Sequence, residues 1–262
     1  MNQHNMDQCS IGRRIALTIL TAIPLAFAAA QSSAADLKVL GAGPVEHTFK
    51  ALMPAFTQAT GHKAEGTFDT VGVIERKLKA GEKADVIILS PASIEEMTKA
   101  GSVIAGSSVE VCRGTTGLAV RAGAPIPDIS TPDALKKTLI AARSVTYVDP
   151  KLGATTGIFF ARLIERLGIA DDVNRKAILL SRGYEVGQAI ADGRAEIGNT
   201  NLTELMPNKG VTVLGPIPEP LGLVIPYVAG VASASPNADA ARALISFLTT
   251  PEARAKFKAV GL

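Results

Sequence analysis

KAEGTFDTVGVIERKLKAGEKADVIILSP, residues 63 to 91, reads as strand, loop, helix and strand in succession. Thr67 and Phe68 close an extended run, and Asp69-Thr70-Val71-Gly72 turn the chain into a helix on which Val71, Ile74 and Leu78 share one apolar face. The first N–H groups of a helix have no intrahelical partner and carry partial positive charge. The helix start at Thr70 and Val71 therefore suits a carboxylate or an oxyanion. Gly81 ends the helix, and Ala84 to Leu89 is a strand of the fully buried kind. It delivers Ser90 to a strand C-terminus, the end at which open α/β sheets hold ligands.

Upstream, Leu37 to Leu40 is a strand that leads through Gly41-Ala42-Gly43-Pro44 into a helix from Val45 to Thr60, with Phe49, Leu52, Met53 and Phe56 as its core stripe. Glu46 and His47 stand on its first turn, where His47 either faces a ligand or is simply solvated. His62 follows a helix-ending glycine and is expected to be exposed. Downstream come a helix from Ile94 to Ala100, the segment Val109 to Cys112, and a strand from Gly117 to Val120. The proline-rich loop after it, containing Pro125 and Pro127, leads to a helix opened by Pro132.

The second half repeats this grammar. A strand (Ser144 to Val148) and a loop place Thr155 and Thr156 at the start of a helix from Gly157 to Leu167. A strand from Ala177 to Leu180 runs through Ser181-Arg182-Gly183-Tyr184-Glu185 into a helix from Val186 to Gly193. Arg182 would carry planar donors free for a carboxylate, or be solvated. The strand from Ala195 to Gly198 ends in Asn199-Thr200-Asn201, which puts amides at another strand end. Pro216, Pro218 and Pro220 suit a return crossover before the strand from Val224 to Ala232 and two closing helices.

Residues 1 to 35 have the layout of a signal peptide: Arg13 and Arg14, an apolar run from Ile15 to Ala30, and small residues up to Ala35. The paired arginines fit either twin-arginine or general export, so a soluble periplasmic protein is expected. Its removal leaves a net charge of about +2, with basic residues scattered, which argues against nucleic acid as a partner. Cys9 leaves with the leader, and Cys112 then has no partner for a disulfide and no Cys-His metal cluster. It reads as a small buried apolar residue.

The segment Ile74 to Val86, Asp149-Pro150, the helix after Val186, and the ending from Pro251 to Gly261 resemble the periplasmic molybdate-binding family of type II solute-binding proteins. The likeness covers almost all of residues 36 to 262. It implies an α/β fold of two lobes with two interlobe crossovers and a central ligand cleft. One lobe would comprise residues 36 to 115 and 225 to 262, the other residues 116 to 224. The ligand positions depart from the family pattern: Pro44 and Val71 stand where molybdate binders place serines, and Asn201 where they place a tyrosine. The site thus favours a larger polycarboxylate over a tetrahedral oxyanion.

The chain also resembles bacterial aconitate isomerases, which are built on the same scaffold. That likeness implies exchange of trans- and cis-aconitate by allylic proton transfer, without a metal or organic cofactor. His47 would be the base and Arg182 a carboxylate clamp. Thr70, Val71, Ser90, Thr155, Thr156, Tyr184, Asn199 and Asn201 would bind the tricarboxylate. The alternative is a periplasmic capture protein that hands an organic or oxo-anion to an ABC importer, because every donor useful to a catalyst is useful to a binder.

Overall fold

Residues 34 to 262 are described by a computed structural model. The expected signal peptide lies outside the described residues, apart from Ala34 and Ala35. Chain order runs β1 (Asp36–Ala42), α1 (Glu46–Thr60), β2 (Lys63–Asp69), α2 (Val71–Lys79), β3 (Val86–Leu89) and α3 (Pro91–Lys99). It continues with β4 (Val109–Arg121), α4 (Pro132–Ala141), β5 (Val145–Val148), α5 (Thr155–Arg166), α6 (Ala170–Asn174), β6 (Ala177–Leu180) and α7 (Gly183–Ala191). Then follow β7 (Ile197–Asn201), α8 (Leu202–Leu205), β8 (Val211–Pro216), β9 (Val224–Val231), α9 (Ala238–Leu248) and α10 (Pro251–Ala259).

Two parallel triplets organise the sheet. β1 pairs in parallel with β2 and β3, and β5 pairs in parallel with β6 and β7. Antiparallel β9 and β4 join them, giving the order β2-β1-β3-β9-β4-β7-β5-β6 with β8 alongside β4. The two strands expected at Val109 to Cys112 and Gly117 to Val120 are one strand of 13 residues. Val109 to Thr115 pairs with β9, whereas Thr116 to Arg121 pairs with β7 and β8. β4 is therefore a continuous crossover between the two lobes, and the proline-bearing segment before β9 carries the chain back.

The apolar side chains sort accordingly. One core cluster draws on residues from Leu37 to Cys112 and from Ile225 to Phe257, with Phe49, Phe56 and Tyr227 among its largest members. Two further clusters draw on residues from Leu118 to Leu221, and include Tyr147, Phe160, Val186 and Leu205. Each lobe thus has its own packed interior, as a two-lobed fold requires. The strand patterns follow from this burial: Val86, Ile87, Ile88 and Leu89 are all buried because helices cover both faces of the parallel triplet.

Several local expectations shift for physical reasons. α3 starts at Pro91 rather than Ile94, because Ser90 caps it, its hydroxyl accepting from the Ser93 N–H at 3.3 Å. α7 starts at Gly183 rather than Val186, with the Glu185 carboxylate reaching back to the Ser181 N–H at 2.9 Å and the Arg182 N–H at 3.2 Å. His62 is buried rather than exposed, because its Nδ1 accepts from the Ala35 N–H at 3.1 Å. Cys112 is buried, and burial pushes its thiol up to about 12.

Candidate functional site

The C-terminal ends of β1, β2, β5 and β7, together with the start of α7 after β6, converge on one cavity of about 680 Å³. From one lobe the wall takes Pro44 and His47 after β1, and Asp69, Thr70 and Val71 after β2. From the other it takes Thr155 and Thr156 at the start of α5, Arg182 and Tyr184 at the start of α7, and Asn201 at the end of β7. Parallel strands in both triplets aim their C-termini at the same space, which is why polar residues far apart in sequence meet there.

Eight of the ten residues read from the sequence as site residues line this cavity: His47, Thr70, Val71, Thr155, Thr156, Arg182, Tyr184 and Asn201. Ser90 and Asn199 do not. The Ser90 hydroxyl caps α3 and lies 2.7 Å from the Ser93 hydroxyl, which leaves it committed to the helix. Asn199 is fully buried within β7 and donates its amide to the Gly117 carbonyl at 2.8 Å, tying β7 to β4. Two residues further on, Asn201 reaches the strand end. It is also buried, and donates to the Tyr227 hydroxyl at 3.2 Å.

Arg182, expected to hold its donors free, forms an ion pair with Asp69 at 2.9 Å. Asp69 is nearly covered, with 10% of its side chain exposed, and also accepts from the Thr70 N–H at 2.7 Å. The pair spans the cleft from the end of β2 to the start of α7. Two more contacts cross at the same place. The Thr70 hydroxyl donates to the Leu152 carbonyl at 3.1 Å, and the Gly72 N–H donates to the Gly153 carbonyl at 3.2 Å. A Cβ on Gly72 would stand 2.6 Å from the Leu152 oxygen, so glycine is what permits the two backbones to approach this closely. The lobes are closed on one another along this seam.

Thr70 also accepts from the Val73 N–H at 3.3 Å and so caps α2. α5, by contrast, begins at Thr155 behind Ala154 with no side-chain cap. Its first N–H groups and the adjoining threonine hydroxyls are therefore available to an anion in the cavity. His47 is exposed at the rim. Lys50 and Lys209 add positive charge to the wall, although Lys50 is engaged with Glu46 at 2.5 Å.

Glu204 on α8, in the same wall, was not identified from the sequence. Its carboxylate accepts from the Thr200 hydroxyl at 2.6 Å. Burial raises it from the ordinary 4.5 to about 7, the hydrogen bonds from Thr200 and Asn201 pull the other way, and nearby Glu46 pushes it further up. The available signal was the polar run Asn199-Thr200-Asn201-Leu202-Thr203-Glu204, in which a strand end passes directly into a short helix and brings Thr200 against a residue four positions on. Behind Glu204, the Tyr227 hydroxyl is pushed well above its usual range by burial and by the carboxylate. Among the described residues, no cluster of three or more His, Cys, Asp or Glu could hold a metal ion.

Comparison with known proteins agrees with this architecture. The family described as bacterial extracellular solute-binding protein matches residues 37 to 262. An aconitate isomerase of a Pseudomonas species is 32% identical over 232 residues, covering 86% of this chain and 87% of that protein. Among solved structures, the periplasmic molybdate-binding protein of Azotobacter vinelandii superposes with a TM-score of 0.72 at 20% identity, over 86% of this chain and 97% of the other. A sulfate-binding protein of Mycobacterium tuberculosis H37Rv superposes with a TM-score of 0.70 at 20% identity, over 87% of this chain and 86% of the other. These two likenesses carry the fold: two α/β lobes of the type II periplasmic binding-protein kind around a central cleft. The chain belongs to the bacterial extracellular solute-binding protein family.

Proposed function

We propose that the protein is an exported isomerase that interconverts trans- and cis-aconitate in the cleft between its lobes, comprising residues 36 to 115 with 225 to 262, and residues 116 to 224. The observation that carries this reading is the chemistry and size of the cavity between the lobes. At about 680 Å³ it lies in the range of small organic-molecule sites, roughly 300 to 1,000 Å³. It presents Lys209, His47 and the open start of α5, together with Arg182 and Lys50, which are paired with Asp69 and Glu46. A tetrahedral oxyanion needs only a tight ring of neutral donors, whereas a tricarboxylate uses several separated anion positions. The 32% identical relative bearing the name aconitate isomerase supports the same choice.

The reaction moves one proton between two carbons. A base removes a proton from the methylene carbon, and that C–H electron pair becomes the new double bond. The old π pair then takes a proton at the former vinyl carbon, so atoms and electrons balance without a co-reactant. Charge that builds on a conjugated carboxylate is held by Arg182, Thr155, Thr156 and the α5 N–H groups, with Thr70, Val71, Tyr184 and Asn201 orienting the acid. His47, within the cavity wall, is the base read from the sequence.

The second reading is a periplasmic capture protein serving an ABC importer. Its support is the fold shared with proteins named for binding molybdate and sulfate. One experiment separates the two: purified protein is incubated with trans-aconitate in heavy water and followed by proton NMR. Interconversion of the vinyl signals without added metal is the expected result. Tight binding with an unchanged spectrum over hours removes the isomerase reading and leaves capture.

A further inference from the structure

We propose that Glu204 is the catalytic residue that takes the proton from the bound acid and returns it, an assignment that rests on the isomerase reading above. Three carboxylates line the cavity, and two are committed: Glu46 to Lys50 at 2.5 Å and Asp69 to Arg182 at 2.9 Å. Glu204 is the third, and among the described residues it has no cationic partner within 4.0 Å. An enclosed carboxyl without a counter-charge is costly, and such groups cluster at functional sites.

The surroundings are shaped around this group from both sides of the cleft. A Cβ on Gly183, at the start of α7, would overlap both the carboxyl oxygens, and one on Gly43, after β1, would stand 3.3 Å from Oε1. Glycines on opposite lobes thus leave the carboxyl its space. Thr200 donates to it and holds its orientation. Asn201 and Thr203 line the same cavity, and Asn201 adds a hydrogen bond to the carboxyl. The titratable groups that act on it are Glu46 from α1 and Tyr227 from β9, and His47, Lys50, Asp69, Arg182, Tyr184 and Lys209 share the cavity wall.

Chemically the step closes on itself. Ionised Glu204 accepts the methylene proton as the double bond shifts, and the neutral acid delivers it to the former vinyl carbon, restoring the carboxylate. A group that ionises near pH 7 is matched to this work at neutral pH. His47, solvated at the rim, is then a carboxylate-binding group rather than the base.

The test compares wild type, Glu204→Gln and Glu204→Asp by NMR conversion of trans-aconitate between pH 5.5 and 8.5, with calorimetric binding of the same acid. The expected result is a fall in kcat of about a hundredfold or more in Glu204→Gln. Binding should remain within a few-fold of wild type. The wild-type rise of kcat/KM through about pH 7 should disappear in Glu204→Gln. Glu204→Asp should recover part of the rate. A wild-type rate in Glu204→Gln, or a pH rise that survives there and vanishes in His47→Ala, overturns the assignment while leaving the isomerase reading intact. Absence of conversion by wild type overturns both together, and that pattern is distinct.

Discussion

Replacing Glu204 with glutamine should stabilise the ligand-free protein, and the gain should grow with pH. The folded protein holds the Glu204 carboxyl at about 7 against an ordinary 4.5, chiefly through burial. A carboxyl whose folded value is raised binds its proton more tightly folded than unfolded. Stability is therefore fully present below about pH 4.5, and is lost as pH rises through about 7. The interval between those values, at about 1.4 kcal/mol per pH unit, corresponds to roughly 3 kcal/mol lost by the wild type. Glutamine keeps the shape and can still bond to Thr200, but carries no charge to desolvate. For a chain of this size the difference amounts to roughly 6 to 12 °C in Tm above pH 8. It should shrink towards zero near pH 4.5. Thermal denaturation of both proteins across pH 4.5 to 8.5 reads it directly, because every other titrating group is common to the two and cancels. A Tm difference that does not change with pH, or a wild type that is the more stable at pH 8.5, would refute the reasoning.

Other consequences follow from the seam and the core. Gly72→Ala should force the lobes apart at Leu152 and Gly153 and weaken trans-aconitate binding by tenfold or more, read by calorimetry, with small-angle scattering showing a more open liganded protein. Arg182→Ala should weaken the same binding by on the order of 2 kcal/mol, about thirtyfold, whereas Arg194→Ala, whose partner Asp192 lies just past α7, should leave it unchanged. Molybdate and tungstate should fail to raise the Tm that a tricarboxylate raises, because Pro44 brings neither a hydroxyl nor an N–H to the cavity wall. Cys112, with its thiol held near 12, should resist alkylation at pH 8 in the native protein and react fully once denatured.

What the sequence determined by itself was whatever depends on neighbours within a few residues. The period of Val71, Ile74 and Leu78, the stop at Gly81 and the apolar run into Leu89 define a βαβ unit wherever they occur, because backbone hydrogen bonding and helix capping are local. The same logic placed Thr70, Thr155 and Thr156 at helix starts, and the burial of Cys112 followed from its apolar flanks. Tertiary structure decided which of these starts share a cavity, and what each polar group does there. Asn199 and Asn201 are alike on paper, yet only the second stands where β7 ends, and the first is spent on the Gly117 carbonyl. Arg182 could be read as a free clamp until the fold brought Asp69 against it from 113 positions away. Glu204 is the clearest case: its titration near neutrality comes from desolvation by Gly43, Gly183 and the walls of both lobes, a property of packed volume rather than of any run of residues.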